Sequence, residues 1–348
     1  MTSSSQMIRG LTLIELLVAL TIIGVLVGIL LPAIQSARAS ARLTACRNNT
    51  RQCVLALQNF YASREHFPHL GFEDDRCFGG TVQLQIISFL NQPVSVGQIE
   101  TLGDGCVDLC RFGRVPDPVP TPVSVFNCPD DEVSITKQVF FQRLGVDYSW
   151  AQAGISYMAN VGTAEDDFVR VANKTDGMFY GGSQTSLRDI VDGSSYTIAI
   201  AESLMGTGVD QSSIRSVDRA KKFVVDGGSD DLRAFQALRD AAMQTDAEDF
   251  ISRQTSWFGS RGGSWSFGFF GAGGVVQGWY TPNHTLPDLT TCAMRVSGAR
   301  SNHDGGVVIG RADGSVDFIS DSIDLKTYRA MWTIDGGEVG AETVSVAP

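Results

Sequence analysis

The chain has 348 residues, of which 43% are hydrophobic and 19% charged. That is enough apolar material for a core, and it excludes wholesale disorder. Its 38 acidic residues against 27 basic ones give −11 with no Lys/Arg cluster, a balance that argues against a nucleic-acid partner. Seven cysteines are too few for a disulfide scaffold of this length but supply two or three bridges in an oxidising compartment.

Apolar character is concentrated at the N-terminus. Leu16 to Ile34 carries no charge over 19 residues, roughly 28 Å as a helix against a bilayer core of about 30 Å. Three arrangements compete for it. A secretory signal peptide has a shorter apolar run before its cleavage site. This run is longer and contains Pro32, although Ala37-Arg38-Ala39 imitates such a site. A plain signal anchor is the second. The third is a short polar leader ending in Gly, followed by a helix with an acidic residue near its start. MTSSSQMIRG ends at Gly10 after Arg9, and Glu15 is the only charge between Gly10 and the apolar run. An ionised acid costs about 2.5–3.5 kcal/mol at mid-bilayer, and less near the end of a span. Cleavage after Gly10 exposes a new amine on Leu11, four residues from Glu15. The amine of a neighbouring subunit can then neutralise Glu15.

Arg9-Gly10 followed by LTLIELLVALTIIGVL resembles the prepilin-type N-terminal cleavage and methylation motif, with Leu11 where Phe is common. The resemblance implies cleavage between Gly10 and Leu11, methylation there, an assembly role for Glu15, a leader in the cytoplasm and the bulk of the chain outside.

The helix is expected from about Leu11 to Ser63, weakest at Pro32, which removes a backbone hydrogen bond. Leu43, Cys46, Thr50, Cys53, Leu57 and Phe60 repeat at helical spacing, with Val54 and Tyr61 widening the stripe. That stripe predicts a face packed on a sheet. Arg38, Arg42, Arg47 and Arg51 follow the span while Arg9 precedes it, so charge bias alone leaves the orientation open. The organisation reads as a leader at 1–10, a membrane half of the helix at 11–34, an amphipathic half at 35–63 and a head at 64–348. Within the head, Thr81–Gln92 predicts a short helix. Alternating Pro116, Pro118, Pro120 and Pro122 predict an extended loop. Thr197–Ser203 predicts a strand, Lys221–Asp249 a charged surface helix with flanking loops, and Ser260–Gly274 a loop with buried aromatics. Alternating runs around Asp313-Gly314 predict a hairpin over about 305–320 with positive φ at both central residues.

His303, nine residues and then Asp313-Gly314 resemble the H-x9-D-G motif that closes a large bacterial family of prepilin-like proteins with a domain of unknown function. Further segments match that family in order. They are Cys46–Pro68, FNCPDD (Phe126–Asp131), SYMANVG (Ser156–Gly162), DGMF (Asp176–Phe179), LRDIVDGSSYTIAIAES (Leu187–Ser203), RGGSW (Arg261–Trp265) and TPN (Thr281–Asn283). Tyr196 replaces the usual Asn, and Thr50 the usual Leu.

Pairing His303 with Asp313 and Ser315 as a catalytic set has no support from a nucleophile elbow, P-loop or H-E-x-x-H motif. The residue reads as structural, bonded to nearby backbone. His66 and His69 are split by Pro68 and lack further ligands. Cys77, Cys106, Cys110 and Cys128 are candidate disulfide partners with three possible pairings. Cys46 and Cys53, about 10 Å apart on one helix face, cannot bridge one another. Asp189, Asp192, Asp321 and Asp324 lie in polar loops and offer oxygen ligands of the kind calcium takes. Otherwise no metal or cofactor is assigned.

The expected fold is α+β and pilin-like: a long membrane-spanning N-terminal helix packed on an antiparallel sheet in an enlarged extracytoplasmic head. The expected role is non-enzymatic, a pseudopilin subunit cut by prepilin peptidase and assembled by a type II secretion or type IV pilus machine. Its partners are then the peptidase, other pilin-like subunits, the assembly platform and lipid of the bacterial inner membrane, with possible exposure in a surface or periplasmic filament. The competing class is an anchored extracytoplasmic binding protein or enzyme that borrows the pilin leader for export.

Overall fold

The computed structural model describes residues 13–70, 81–90, 121–131, 136–143, 146–165, 174–229, 231–266, 273–291 and 294–337. The chain divides into two units, Met1–Thr44 and Ala45–Pro348. One helix, α1 (Leu13–Arg64), runs through the boundary and also through Pro32 without ending. In the first unit the large apolar side chains from Leu13 to Ile34 are exposed, an arrangement that suits lipid or apolar helices rather than water. The helix is long and apolar enough to cross a membrane.

In the second unit α1 turns amphipathic and buries Cys46, Thr50, Cys53, Val54, Ala56, Leu57 and Phe60. Next come α2 (Val82–Ile86), capped by the Thr81 hydroxyl, and two 3-10 turns, Ile87–Phe89 and Ser124–Phe126. Strands β1 (Thr136–Arg143) and β2 (Val146–Ala153) form a separate antiparallel pair. Then follow β3 (Tyr157–Asn160), β4 (Ile198–Glu202), α3 (Val217–Ala220), β5 (Val224–Asp226), α4 (Leu232–Gln244), α5 (Ala247–Arg253) and β6 (Trp257–Phe258). The chain continues through β7 (Val275–Val276), β8 (Asp288–Thr290), β9 (Arg295–Val296), β10 (Gly306–Arg311), β11 (Val316–Ser320) and α6 (Leu325–Ala330).

The central sheet has the order β11-β10-β4-β3-β7. It is antiparallel except for the parallel β3–β7 pair. A second sheet, β6-β5-β8-β9, pairs β5 and β8 in parallel. The expected α+β, pilin-like architecture is present, a long N-terminal helix against β-sheet, and these two mostly antiparallel sheets each include one parallel pair. Alternation along β10 sends Val307 and Ile309 into a core with Tyr328, Met331 and Trp332 beside α6. Gly310 faces α1 on the other side: a Cβ there would sit 2.4 Å from Val54 Cγ1, so only glycine lets the helix approach this closely. Asn49 Nδ2 donates to the Asn127 carbonyl at 3.0 Å, and Gln58 donates to the Ala312 carbonyl. Those bonds hold the helix over the sheet and the hairpin turn.

The second sheet packs on α4 and α5 through Phe235, Ala242, Phe250, Ile251, Val225, Trp257, Leu289 and Val296. The expectation of one surface helix over Lys221–Asp249 is thus replaced by a strand and two helices, each helix started by an aspartate cap at Asp231 or Asp246. Buried Asp288 receives three buried guanidinium groups, with nitrogens of Arg261 at 2.9 Å, Arg300 at 3.1 Å and Arg295 at 3.4 Å. Burial pulls Arg261 down to about 10, opposed by Asp288. The spare donors of Arg261 and Arg300 go to the carbonyls of Leu204, Gly298, His284 and Leu286.

The turn between β10 and β11 differs from the one predicted. Gly314 has φ of 91°, while Asp313 is absent from the positive-φ residues. The Gly314 N–H bonds the Arg311 carbonyl at 3.0 Å and the Arg311 N–H bonds the Ser315 carbonyl at 2.9 Å. This is a three-residue loop, a type I turn followed by a left-handed glycine. Asp313 Oδ1 caps it by accepting from the Ser315 N–H and hydroxyl.

Candidate functional site

The antiparallel pairing of β4 and β10 places the end of β4, Glu202, beside the turn that leads into β10. That turn is tied by the Ser301 hydroxyl, which donates to the Gly306 carbonyl and accepts from the His303 N–H. Gly305, at φ 78°, supplies the left-handed step. Asn302 Nδ2 reaches the Asp130 carbonyl at 2.7 Å and draws the 128–131 segment over the turn. Cys128 in that segment is disulfide-bonded to Cys46 of α1.

These elements converge on His303. Its Nδ1 lies 3.1 Å from Asp130 Oδ2 and its Nε2 lies 3.2 Å from Glu202 Oε1. The Cys128 sulfur is 3.5 Å from the same Nε2. Glu202 Oε2 accepts the Val308 N–H at 3.1 Å. Cys46, Cys128, Glu202 and His303 are all buried, with their candidate ligand atoms within 4.8 Å of one another. Burial pushes the Glu202 carboxyl above the usual range, opposed by His303 and by the Val308 N–H. The two carboxylates lie against both ring nitrogens, an arrangement that fixes the orientation of the imidazole.

Two expectations are corrected here. The His303 ring meets the carboxylates of Asp130 and Glu202, where bonds to nearby backbone were expected. The non-enzymatic assignment is also withdrawn, because the buried Cys46, Cys128, Glu202 and His303 cluster has the geometry of a metal-binding or catalytic centre. Asp313 and Ser315 bond one another and hold the hairpin turn.

The disulfide expectation changes as well. Cys128 is bridged, but to Cys46 of α1 rather than to one of the other three candidates. Cys77, Cys106 and Cys110 lie outside the described residues, as do Gly10 and Leu11. Glu15 is described, in the exposed first turn of α1. The four loop aspartates are engaged by the chain itself. Asp189 takes the Ser186 N–H and hydroxyl, and Asp324 caps α6. Asp192 takes the Thr333 hydroxyl and the N–H groups of Gly336 and Gly337. Asp321 takes Asn283 Nδ2. His66 and His69 each place Nδ1 against the carbonyl of the following residue.

Asp130 and Glu202 carry no metal or catalytic spacing in the sequence, so spacing alone could not find them. A usable signal was present nonetheless. Cys46, Cys128, Asp130, Glu202 and His303 all fall inside the segments that carry the family resemblance.

Comparison with known families agrees with both ends of this picture. Residues 6–31 match the prokaryotic N-terminal methylation motif. With that motif in place, the apolar run of α1 makes this a single-pass membrane protein. No curated protein and no solved structure matches the chain. Residues 35–326 match the family described as "Protein of unknown function (DUF1559)", and because that match takes in most of the chain, from the amphipathic half of α1 to α6, the chain belongs to that family.

Proposed function

We propose that the protein is a type IV pilin-like subunit, cut by a prepilin peptidase between Gly10 and Leu11 and assembled through its apolar helix by a type II secretion or type IV pilus machine. The supporting observation is the methylation motif at residues 6–31 joined to an apolar, exposed half-helix in which Glu15 is the acidic residue of the first turn. In this reading the membrane-spanning half packs against other pilin helices, and the new amine of one subunit pairs with Glu15 of the next. The head lies outside the cytoplasm. Glu15→Val should leave the head's stability unchanged and reduce incorporation into filaments, scored by sedimentation of sheared filaments. Wild-type assembly of that variant would remove the pairing.

The buried His303 cluster favours a second reading, an anchored extracytoplasmic head with binding or catalytic chemistry of its own. A monodisperse membrane species that never enters filaments would select it.

A further inference from the structure

We propose that Cys46, Cys128, Glu202 and His303 form a tetrahedral site for a zinc-class divalent cation when the Cys46–Cys128 bond is reduced, so that one cluster alternates between a disulfide staple and a metal centre. The inference holds under either reading of the anchor.

The donor set is two sulfurs, one imidazole nitrogen and one carboxylate oxygen. Thiolates with imidazole select zinc over calcium or magnesium, which take oxygen. All four residues are buried, and the ligand atoms already lie within 4.8 Å of one another. A tetrahedron with zinc–sulfur bonds of about 2.3 Å holds its two sulfurs roughly 3.8 Å apart. Opening the disulfide and turning both side chains about Cα–Cβ provides that separation. His303 is oriented for the task. Nε2 faces Glu202 and Cys128, while Nδ1 faces Asp130 at 3.1 Å. A ring N–H held by a carboxylate behind the metal-facing nitrogen is the outer-shell partner that metal-binding histidines use. Glu202 is steadied through its other oxygen by the Val308 N–H.

The chemistry balances with a dithiol as reductant. The dithiol passes two electrons and two protons to the Cys46–Cys128 bond and itself becomes a disulfide. The two thiols formed then release their protons as the cation binds their sulfurs.

The test uses the full chain in detergent, oxidised or reduced with a non-coordinating phosphine, incubated with zinc chloride, desalted and assayed for metal. Reduced wild type should retain about one zinc per chain more than the reduced Cys46→Ser/Cys128→Ser variant, which keeps the remaining cysteines. Oxidised wild type should match that variant. Asp130→Asn, which removes no ligand, should weaken zinc retention about 10–100-fold. Cobalt(II) in place of zinc should give tetrahedral d–d bands with a thiolate charge-transfer band, and His303→Ala should shift the former while keeping the latter. Equal zinc in reduced wild type and the double cysteine variant would overturn the proposal. So would retention and cobalt spectra unaffected by both Asp130→Asn and His303→Ala.

Discussion

Replacing Cys46 and Cys128 together by alanine should destabilise the head by several kcal/mol. The bridge spans 82 residues. Chain-entropy arithmetic for a loop of that length gives about 4.5 kcal/mol at 25 °C, within a usual range of about 2–5 for a native bridge. Residual structure in the unfolded chain lowers the figure rather than raising it. Both sites are buried, and alanine leaves no unsatisfied polar group there. Urea unfolding of the detergent-extracted chain, with chelator present, reads the effect through the buried Trp257, Trp265 and Trp332. The midpoint should fall by a matching amount. A drop below about 1 kcal/mol would refute the claim that this bridge staples the second half of α1 to the head.

Asp288→Asn should cost about 3–5 kcal/mol by the same assay, because it strands three buried guanidinium groups; a loss under about 1 kcal/mol would show that backbone carbonyls suffice for them. His284 is pushed down to about 4 by burial and by Arg300, and its Nδ1 accepts the Leu286 N–H. The unfolded chain takes up this proton near 6.5 and the folded chain only near 4, so stability present above that window is lost as the pH falls through it. The loss is about 3 kcal/mol at most, and His284→Gln should flatten that slope in pH-dependent urea midpoints. Gly314→Val should cost about 1 kcal/mol or more, since φ of 91° strains a β-branched residue; an unchanged melting temperature would contradict the turn geometry.

The parts of the fold legible in the sequence were those written in local periodicity. The stripe from Cys46 to Phe60 repeats at helical spacing, and those positions are the buried ones of α1. The run Ile198–Glu202 alternates, and it is a central strand buried throughout. What stayed hidden depends on contacts between distant segments. The parallel pairings β3–β7 and β5–β8 join strands of two to four residues, too short to leave a pattern. The hairpin turn also lies under α1, where Gln58 meets Ala312 and Gly314, a contact that the Asp-Gly pair does not encode. The site is the extreme case. Cys46 lies on a helix, Cys128 and Asp130 in a loop, Glu202 at a strand end and His303 in a turn. The sheet register, the disulfide and the Asn302 bond to the Asp130 carbonyl bring them together.

The most direct measurement of the central claim is the N-terminal mass of the protein extracted from membranes. The pilin-like account predicts a chain that begins at Leu11 and carries one methyl group on its amine. A chain that still begins at Met1, or one cut after Ala39 or Ala41, would contradict it.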